Sequence, residues 1–204
     1  MNKAPEEGRI WEWRAFGKIP NALAGKITAY PIRMGLSDIR GEDIYLVAPS
    51  NDQNVKLRRY SGGWVLKFKF LLDTLPGGFE LYDESPEFTY QFPVARKRLE
   101  EAARLLGVKL QWDLPNSFDE SEFVDSLARS SPPVSACRVL KKRSQYQFED
   151  GWLELASVNF ARHSVQSISI HSPRLEVVER ILERLQPGYG LQAMNYIEAC
   201  RRWG

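Results

Sequence analysis

Four basic residues alternate with apolar ones in residues 54–70, a pattern typical of a β-hairpin. With Gly62-Gly63 as a two-residue turn, Arg58 would face Lys67 and Lys56 would face Lys69. The four cations then share one face of the sheet, and like charges directly across a ladder repel each other. Such a face needs either solvent around the cations or a polyanion bound among them.

Further charges are predicted on the same side of other strands. Residues 9–16 alternate so that Glu12 and Arg14 are neighbours on one face. A turn at Asp150-Gly151 would pair Glu149 with Trp152. That register places Lys141 and Arg143 on the face that carries Glu154.

Two more strands carry candidate site residues. Residues 164–171 form the strand after Glu154, and a turn at Arg162-His163 would put His171 across from that glutamate. Residues 79–84 form a short strand with Glu80, Tyr82 and Glu84 in phase.

The composition limits the classes of protein to consider. The chain has 204 residues, 43% hydrophobic and 26% charged, which indicates one globular domain over residues 1–204. A net charge of +2 is too small to indicate a nucleic-acid partner, and we expect no membrane span. Cys137 and Cys200 are far apart in the sequence, so we expect a cytoplasmic protein without disulfides. With only two histidines and two cysteines, any metal would be a hard cation held by carboxylates.

Several helices are expected between and after the strands. They cover residues 94–106, 118–128, 174–185 and a segment ending at Trp203, with a further short helix near residues 21–30. Ser117 with Glu120 predicts a capping box for the helix over residues 118–128. Ser172-Pro173 predicts an N-cap, with proline at the first helical position, for the helix over residues 174–185. Asn195 with Glu198 predicts a cap for the helix that ends at Trp203. A further strand is expected over residues 42–48.

These pieces, in this order, resemble the CYTH, or triphosphate tunnel metalloenzyme, superfamily. The resemblance spans nearly the whole chain, and its order and spacing carry more weight than its short motifs. The matching segments are Ile10-x-Glu12-x-Arg14, Val55-Lys56-Leu57-Arg58, Leu66-Lys67-Phe68-Lys69, Lys141-x-Arg143, Glu154, Ser169-x-His171 and Asn195-Tyr-Ile-Glu198.

The resemblance implies an α+β fold, an eight-stranded antiparallel β-barrel whose lumen is a tunnel, with helices packed outside. The phosphate-binding residues that it implies are Arg14, Lys56, Arg58, Lys67, Lys69, Lys141 and Arg143. It implies magnesium or manganese on carboxylates, for which this chain offers Glu12, Glu80 and Glu154. The chain departs from the pattern where Ile10, Ser169 and His171 stand in place of glutamates.

Three classes of function remain open from the sequence. The first is a metal-dependent phosphohydrolase acting on a triphosphate, with a cyclase as a variant. The second is a module that binds a triphosphate, polyphosphate or nucleotide, with weak or absent hydrolysis because glutamates are missing. The third is a protein-interaction scaffold whose charges are solvated and whose exposed aromatic side chains contact a protein partner. Independently of the class, pairing with neighbouring cations is favoured over metal binding for Glu12, Glu80 and Glu154. The sequence assigns no catalytic residue.

Overall fold

The computed structural model describes residues 8–28, 34–111, 113–148, 150–188 and 190–204. Its strands are β1 (Arg9–Gly17), β2 (Met34–Val47), β3 (Asn54–Tyr60), β4 (Gly63–Leu75), β5 (Phe79–Asp83), β6 (Thr89–Gln91), β7 (Val94–Ala95), β8 (Ser117–Phe118), β9 (Ser135–Phe148), β10 (Gly151–Asn159), β11 (Ser164–Ser172) and β12 (Leu191–Ala193). Its α-helices are α1 (Asn21–Thr28), α2 (Arg96–Leu106), α3 (Glu120–Ala128), α4 (Leu175–Leu185) and α5 (Tyr196–Trp203).

Eight antiparallel strands close into a barrel. Around the ring the order is β1, β5, β4, β3, β2, β9, β10 and β11, and the pairing of β11 with β1 completes it. The short strands β6 and β12 pair with β4 and β1 beside this ring. Side chains alternate between the inside and the outside along each strand of a barrel. The predicted eight-stranded antiparallel barrel is therefore confirmed.

The β3–β4 hairpin is shifted by two residues from the predicted register. Tyr60 pairs with Gly63, so the loop is residues 61–62, and Lys56 faces Lys67 rather than Lys69. Arg58 faces Val65 rather than Lys67. Because side chains along a strand have a period of two, this shift leaves every residue on its predicted face.

The next two hairpins show similar shifts. Trp152 pairs with Gln147, whereas its predicted partner Glu149 lies outside the described residues. Ser169, not His171, lies across from Glu154. The loop between β10 and β11 is longer than predicted, because Asn159 pairs with Ser164 and the chain between them turns with a hydrogen bond from Phe160 N to His163 O of 2.8 Å.

Most helices cover the outer surface of the barrel. Helices α2 and α3 pack against outward-facing residues of β3 and β4, including Leu57, Leu66 and Phe68. Helices α1 and α4 cover β1 and β11 in a second apolar cluster that contains Trp13, Ile168 and Ile170. In the described part of the chain, no helix is long and apolar enough to cross a membrane.

The starts of three helices differ from the prediction. Val94 pairs with Phe118 in the β7–β8 ladder, so α2 and α3 both begin two residues later than expected. The capping box of α3 is Asp119 with Glu122, not Ser117 with Glu120.

Helix α4 begins after Arg174, because Ser172 is the last residue of β11. Ser172 Oγ still accepts a hydrogen bond from Arg174 N, at 3.1 Å. The short helix α1 ends at Thr28, and the remainder of its predicted span lies outside the described residues. The predicted strand over residues 42–48 is part of the longer β2.

Helix α5 fills one end of the barrel interior. The inward-facing residues there are apolar, among them Phe16, Val47, Val139 and Val158, and they pack against the buried face of α5. Cys137 and Cys200 are free thiols buried in this cluster. The predicted capping box of Asn195 with Glu198 is present at the start of α5. It fixes the helix where its first residues meet the polar part of the interior.

Candidate functional site

A cavity of about 430 Å³ lies inside the barrel beside the start of α5. Its walls come from inward-facing positions of all eight strands of the ring. All seven cations that the sequence singled out line it: Arg14, Lys56, Arg58, Lys67, Lys69, Lys141 and Arg143. Barrel closure brings these distant residues together, since each strand turns alternate side chains to the same space.

Glu12 is held between two of these cations. Its Oε1 accepts a hydrogen bond from Arg14 Nε at 2.8 Å, and its Oε2 accepts one from Lys69 Nζ at 2.5 Å. The side chains of all three are at most 8% exposed. Burial would raise the pKa of Glu12, but the charges of Lys69 and Arg14 outweigh it and hold that pKa well below its usual value.

Glu154 is surrounded by other donors on the same side of the barrel. Its Oε2 accepts hydrogen bonds from Gln145 Nε2 at 3.0 Å and Arg143 Nη1 at 3.4 Å, and its Oε1 lies 3.6 Å from Arg14 Nη1. Although burial would raise its pKa, Arg14 and the other charges around it lower the pKa of Glu154 to about 2. This carboxylate is therefore ionised at neutral pH.

Asp43 is a buried carboxylate that the sequence analysis did not single out. Arg58 donates two hydrogen bonds to it, from Nε to Oδ1 at 2.8 Å and from Nη2 to Oδ2 at 3.0 Å. Lys141 Nζ donates a third, to Oδ2 at 2.7 Å. Burial of Lys141, only partly offset by Asp43, lowers the pKa of that lysine to about 8. Part of the cationic charge in the tunnel is thus held in place by one aspartate.

Glu80 does not line the cavity. Its Oε2 accepts a hydrogen bond from the Tyr82 hydroxyl at 2.8 Å, and its Oε1 accepts one from Asn195 Nδ2 at 2.6 Å. Burial raises the pKa of Glu80, against the effect of these hydrogen bonds. The residue links the barrel wall to the start of α5.

Two of the cations have no carboxylate partner among the described residues. Lys56 is 7% exposed, and it has no ion pair or hydrogen bond there. Burial and the nearby charge of Arg58 lower its pKa well below the usual value for a lysine. Lys67 lies directly across from it and is likewise unpaired in the described part of the chain.

Two buried guanidinium donors are also unused. Among the described residues, Arg14 Nη1 and Arg143 Nε have no hydrogen-bond acceptor, although Arg14 Nη1 lies 3.6 Å from Glu154 Oε1. Buried donors without partners are rare in proteins, and they indicate a place that a ligand or water fills.

Ser169 and His171 occupy the positions where the resemblance implies glutamates. Ser169 Oγ lies 3.2 Å from His171 Nε2, and His171 Nδ1 lies 3.8 Å from Glu12 Oε2. Burial lowers the pKa of His171, and Glu12 offsets only part of this effect. At neutral pH the imidazole is therefore mainly uncharged.

Comparison with known proteins gives matches only at the level of three-dimensional structure. No family model matches this sequence, and no curated protein does. A candidate adenylyl cyclase from Hippeastrum, described as having a dominant triphosphatase activity, is 15% identical, with 95% of each chain covered and a TM-score of 0.53. A candidate adenylate cyclase from Bacillus halodurans is 12% identical over 94% of this chain and 98% of its own, with a TM-score of 0.52. The PH1012 protein from Pyrococcus horikoshii is 17% identical over 92% and 98%, with a TM-score of 0.50.

The chain has the CYTH-like tunnel fold. The predicted resemblance is confirmed for the fold, since the matched structures cover nearly the whole chain.

The carboxylates of this CYTH-like barrel do not fit a divalent metal as they are arranged. Both oxygens of Glu12 accept hydrogen bonds from cationic groups. Glu154 Oε2 accepts from Arg143 and Gln145, and its Oε1 lies 3.6 Å from the Arg14 guanidinium. Glu80 accepts hydrogen bonds from Tyr82 and Asn195. Among the residues that the structure describes, no three histidine, cysteine or acidic side chains are grouped as metal ligands would be. A metal at Glu12 would also have to displace two ammonium or guanidinium groups.

The cavity also contains residues that the sequence analysis did not assign to the site. Glu84 lines the cavity and lies 3.4 Å from Lys69 Nζ. Tyr45, Tyr82 and Tyr196 place their rings against buried cations, with Lys141 Nζ 3.7 Å from the Tyr196 ring centroid. Alternation along the strands could have identified these residues from the sequence. Glu84 follows Glu80 and Tyr82 at intervals of two residues, and Asp43 and Tyr45 are spaced in the same way.

Proposed function

We propose that the barrel interior binds a small phosphate-rich anion, namely a triphosphate, a short polyphosphate or the phosphates of a nucleotide. The observation that carries this proposal is the charge of one cavity. Seven basic side chains line it against three carboxylates, Glu12, Glu84 and Glu154. Even with Asp43 counted, which holds Arg58 and Lys141, the basic side chains outnumber the carboxylates by three. A protein that concentrates buried like charges gains stability when an anion neutralises them.

Burial argues against the alternative in which these charges are a solvated sheet face. Arg14, Lys56, Lys69 and Lys141 are each at most 8% exposed. Lysine and arginine are almost never that buried unless they are paired. Lys56 has no such pair among the described residues, so we infer that a bound anion is its partner.

The chemistry of the donors suits phosphate oxygens. Arginine offers a planar fork of N–H groups, and lysine offers a compact charge that can turn toward several oxygens. The unused donors of Arg14 and Arg143 add directional contacts inside the cavity. The triphosphatase activity described for the Hippeastrum protein fits the same class of anion.

We expect hydrolysis of the bound triphosphate to be weak or absent. Metal-assisted phosphoryl transfer needs carboxylates that hold a divalent ion against the phosphate. In this chain the corresponding carboxylates already hold cationic side chains. The protein would therefore bind, orient and shield the anion without turning it over quickly.

Calorimetric titration with tripolyphosphate at low salt tests the proposal. Lys141 faces the cavity, and its neighbour Lys142 is exposed on the other face of β9. We expect Lys141→Met to weaken binding by about tenfold or more, since a charge-assisted contact is lost, and Lys142→Met to change it little. Absence of heat and of a melting-temperature shift at millimolar tripolyphosphate, or equal effects of the two variants, would contradict it.

A further inference from the structure

Lys69 lies between two carboxylates inside the barrel. Its Nζ is 2.5 Å from Glu12 Oε2 and 3.4 Å from Glu84 Oε2. It also lies 4.1 Å from the centroid of the Tyr82 ring, on which a cation is attracted by the aromatic face. The side chain is 8% exposed. Lys69 is therefore the counter-ion of both Glu12 and Glu84.

The other oxygen of Glu12 is also taken. Arg14 Nε donates to Oε1 at 2.8 Å, so both oxygens accept from cationic groups of the chain itself. A divalent ion that entered here would find no free oxygen on Glu12 to bind. It would also meet Lys69 and Arg14 at close range, and like charges repel strongly where water is scarce.

We propose that the Lys69 ammonium serves as the resident cation of this site, so that the tunnel binds its phosphate-rich anion without a divalent metal. This inference rests on the proposed function and specifies the form of the ligand, which is the metal-free anion. Lys69 fixes one positive charge between Glu12 and Glu84, and the unpaired Lys56 and Lys67 supply further charge to the anion. The protein then needs no metal to neutralise the phosphates.

The first test compares tripolyphosphate binding in EDTA with binding in millimolar Mg²⁺ or Mn²⁺. We expect the affinity in EDTA to equal or exceed that with metal, because a metal bound to the phosphate oxygens competes with the lysines and arginines. An affinity at least tenfold higher with metal would overturn the inference while leaving the proposed function intact. No binding under either condition would instead reject the proposed function.

The second test removes the resident cation. Lys69→Ala frees Glu12 and Glu84, so we expect about tenfold or more loss of affinity in EDTA and a recovery when Mg²⁺ or Mn²⁺ is added. Lys67→Ala is the matched control, since it lies two residues away on β4, faces the same cavity and has no carboxylate partner in the described part of the chain. It should lose affinity without recovery by metal.

Folding of the variants is checked by circular dichroism and melting temperature. Lys69→Arg keeps the charge and should bind tripolyphosphate in EDTA with no response to metal. The inference fails if the Lys69→Ala and Lys67→Ala variants respond to metal to the same degree. If Lys69→Ala does not fold, the wild-type comparison in EDTA and metal still decides the question.

Discussion

Lys56 and Lys67 stand directly opposite each other on β3 and β4, inside the barrel, and neither has a carboxylate partner among the described residues. Like charges at facing positions of an antiparallel pair destabilise it. Their neighbours Lys69, Arg58 and Lys141 are held by Glu12 or Asp43. The facing pair is therefore the part of the cationic lining where none of the described carboxylates competes with an anion.

Replacement of Lys56 by methionine should stabilise the free protein while weakening anion binding. Methionine keeps an unbranched stem of similar length, but it removes an amine whose pKa is lowered by burial and by Arg58, so that placing it in the barrel costs free energy whether it stays charged or loses its proton. We expect the free energy of unfolding to rise by about 1 kcal/mol at neutral pH and low salt. Urea denaturation and tripolyphosphate titration measure the two effects. Equal or lower stability of Lys56→Met would show that burying the Lys56 amine costs the free protein nothing.

Anion binding should be accompanied by proton uptake. The pKa of Lys141 is lowered to about 8 and that of Lys56 is lowered well below its usual value. A bound anion raises both pKa values again, so protons are taken up and the affinity falls as the pH rises through about 8 and above.

Calorimetry in two buffers with different ionisation enthalpies measures this uptake. Because the phosphates titrate as well, the comparison is between the wild type and Lys56→Met. The variant should take up fewer protons per anion. The same uptake in both proteins would mean that the lysine is charged before the anion arrives.

The sequence predicted which residues face inward but not which residues face each other. In the β3–β4, β9–β10 and β10–β11 hairpins the observed register differs from the predicted one by two residues. The loop residues decided the predicted register, and Gly62-Gly63 or Asp150-Gly151 offers more than one way to turn. A shift of two positions preserves phase, so Lys56, Arg58, Lys67 and Lys69 still meet in one cavity.

The pairing of charges could not be predicted in the same way. Glu12 and Lys69 are 57 positions apart, and Asp43 and Lys141 are 98 apart. These contacts arise because β1 and β4 both pair with β5, and because β2 pairs with both β3 and β9. Alternation identified Glu12, Glu80 and Glu154 as carboxylates of interest, but only the folded barrel specifies which donors each oxygen receives.

Asn195 should have two separable roles. Its Oδ1 accepts from Glu198 N at 2.9 Å as the cap of α5, and its Nδ2 donates to Glu80 Oε1 at 2.6 Å. Asn195→Ala loses both contacts, and we expect a loss of at least about 1 kcal/mol in stability from the cap. Asn195→Asp keeps the cap but sets a second carboxylate against Glu80.

The aspartate variant should be sensitive to pH. The pKa of Glu80 is already raised by burial, and a neighbouring carboxylate raises it further. The folded state then binds more protons than the unfolded state, so the stability of Asn195→Asp rises as the pH falls through that raised pKa. Urea denaturation at several pH values compares the two variants. A constant difference between Asn195→Asp and the wild type would contradict the carboxylate pair.

Asp43→Asn should be the most destabilising of these changes. It removes the carboxylate that pairs with both Arg58 and Lys141, and breaking a buried ion pair on one side costs about 3–5 kcal/mol. The pKa of Asp43 is lowered well below its usual value because Lys141 and Arg58 outweigh its burial. In the wild type, its contribution is therefore present above the usual aspartate pKa and lost as the pH falls through the lowered one.

An anion in the tunnel should restore part of this loss. The two cations that Asp43→Asn leaves unpaired can be neutralised by phosphate, so tripolyphosphate should raise the melting temperature of the variant more than that of the wild type. Glu100→Gln is the control, because its exposed pair with Arg96 contributes only about 0.5 kcal/mol and lies outside the barrel. A similar thermal shift in all three proteins would mean that the anion does not reach Arg58 and Lys141.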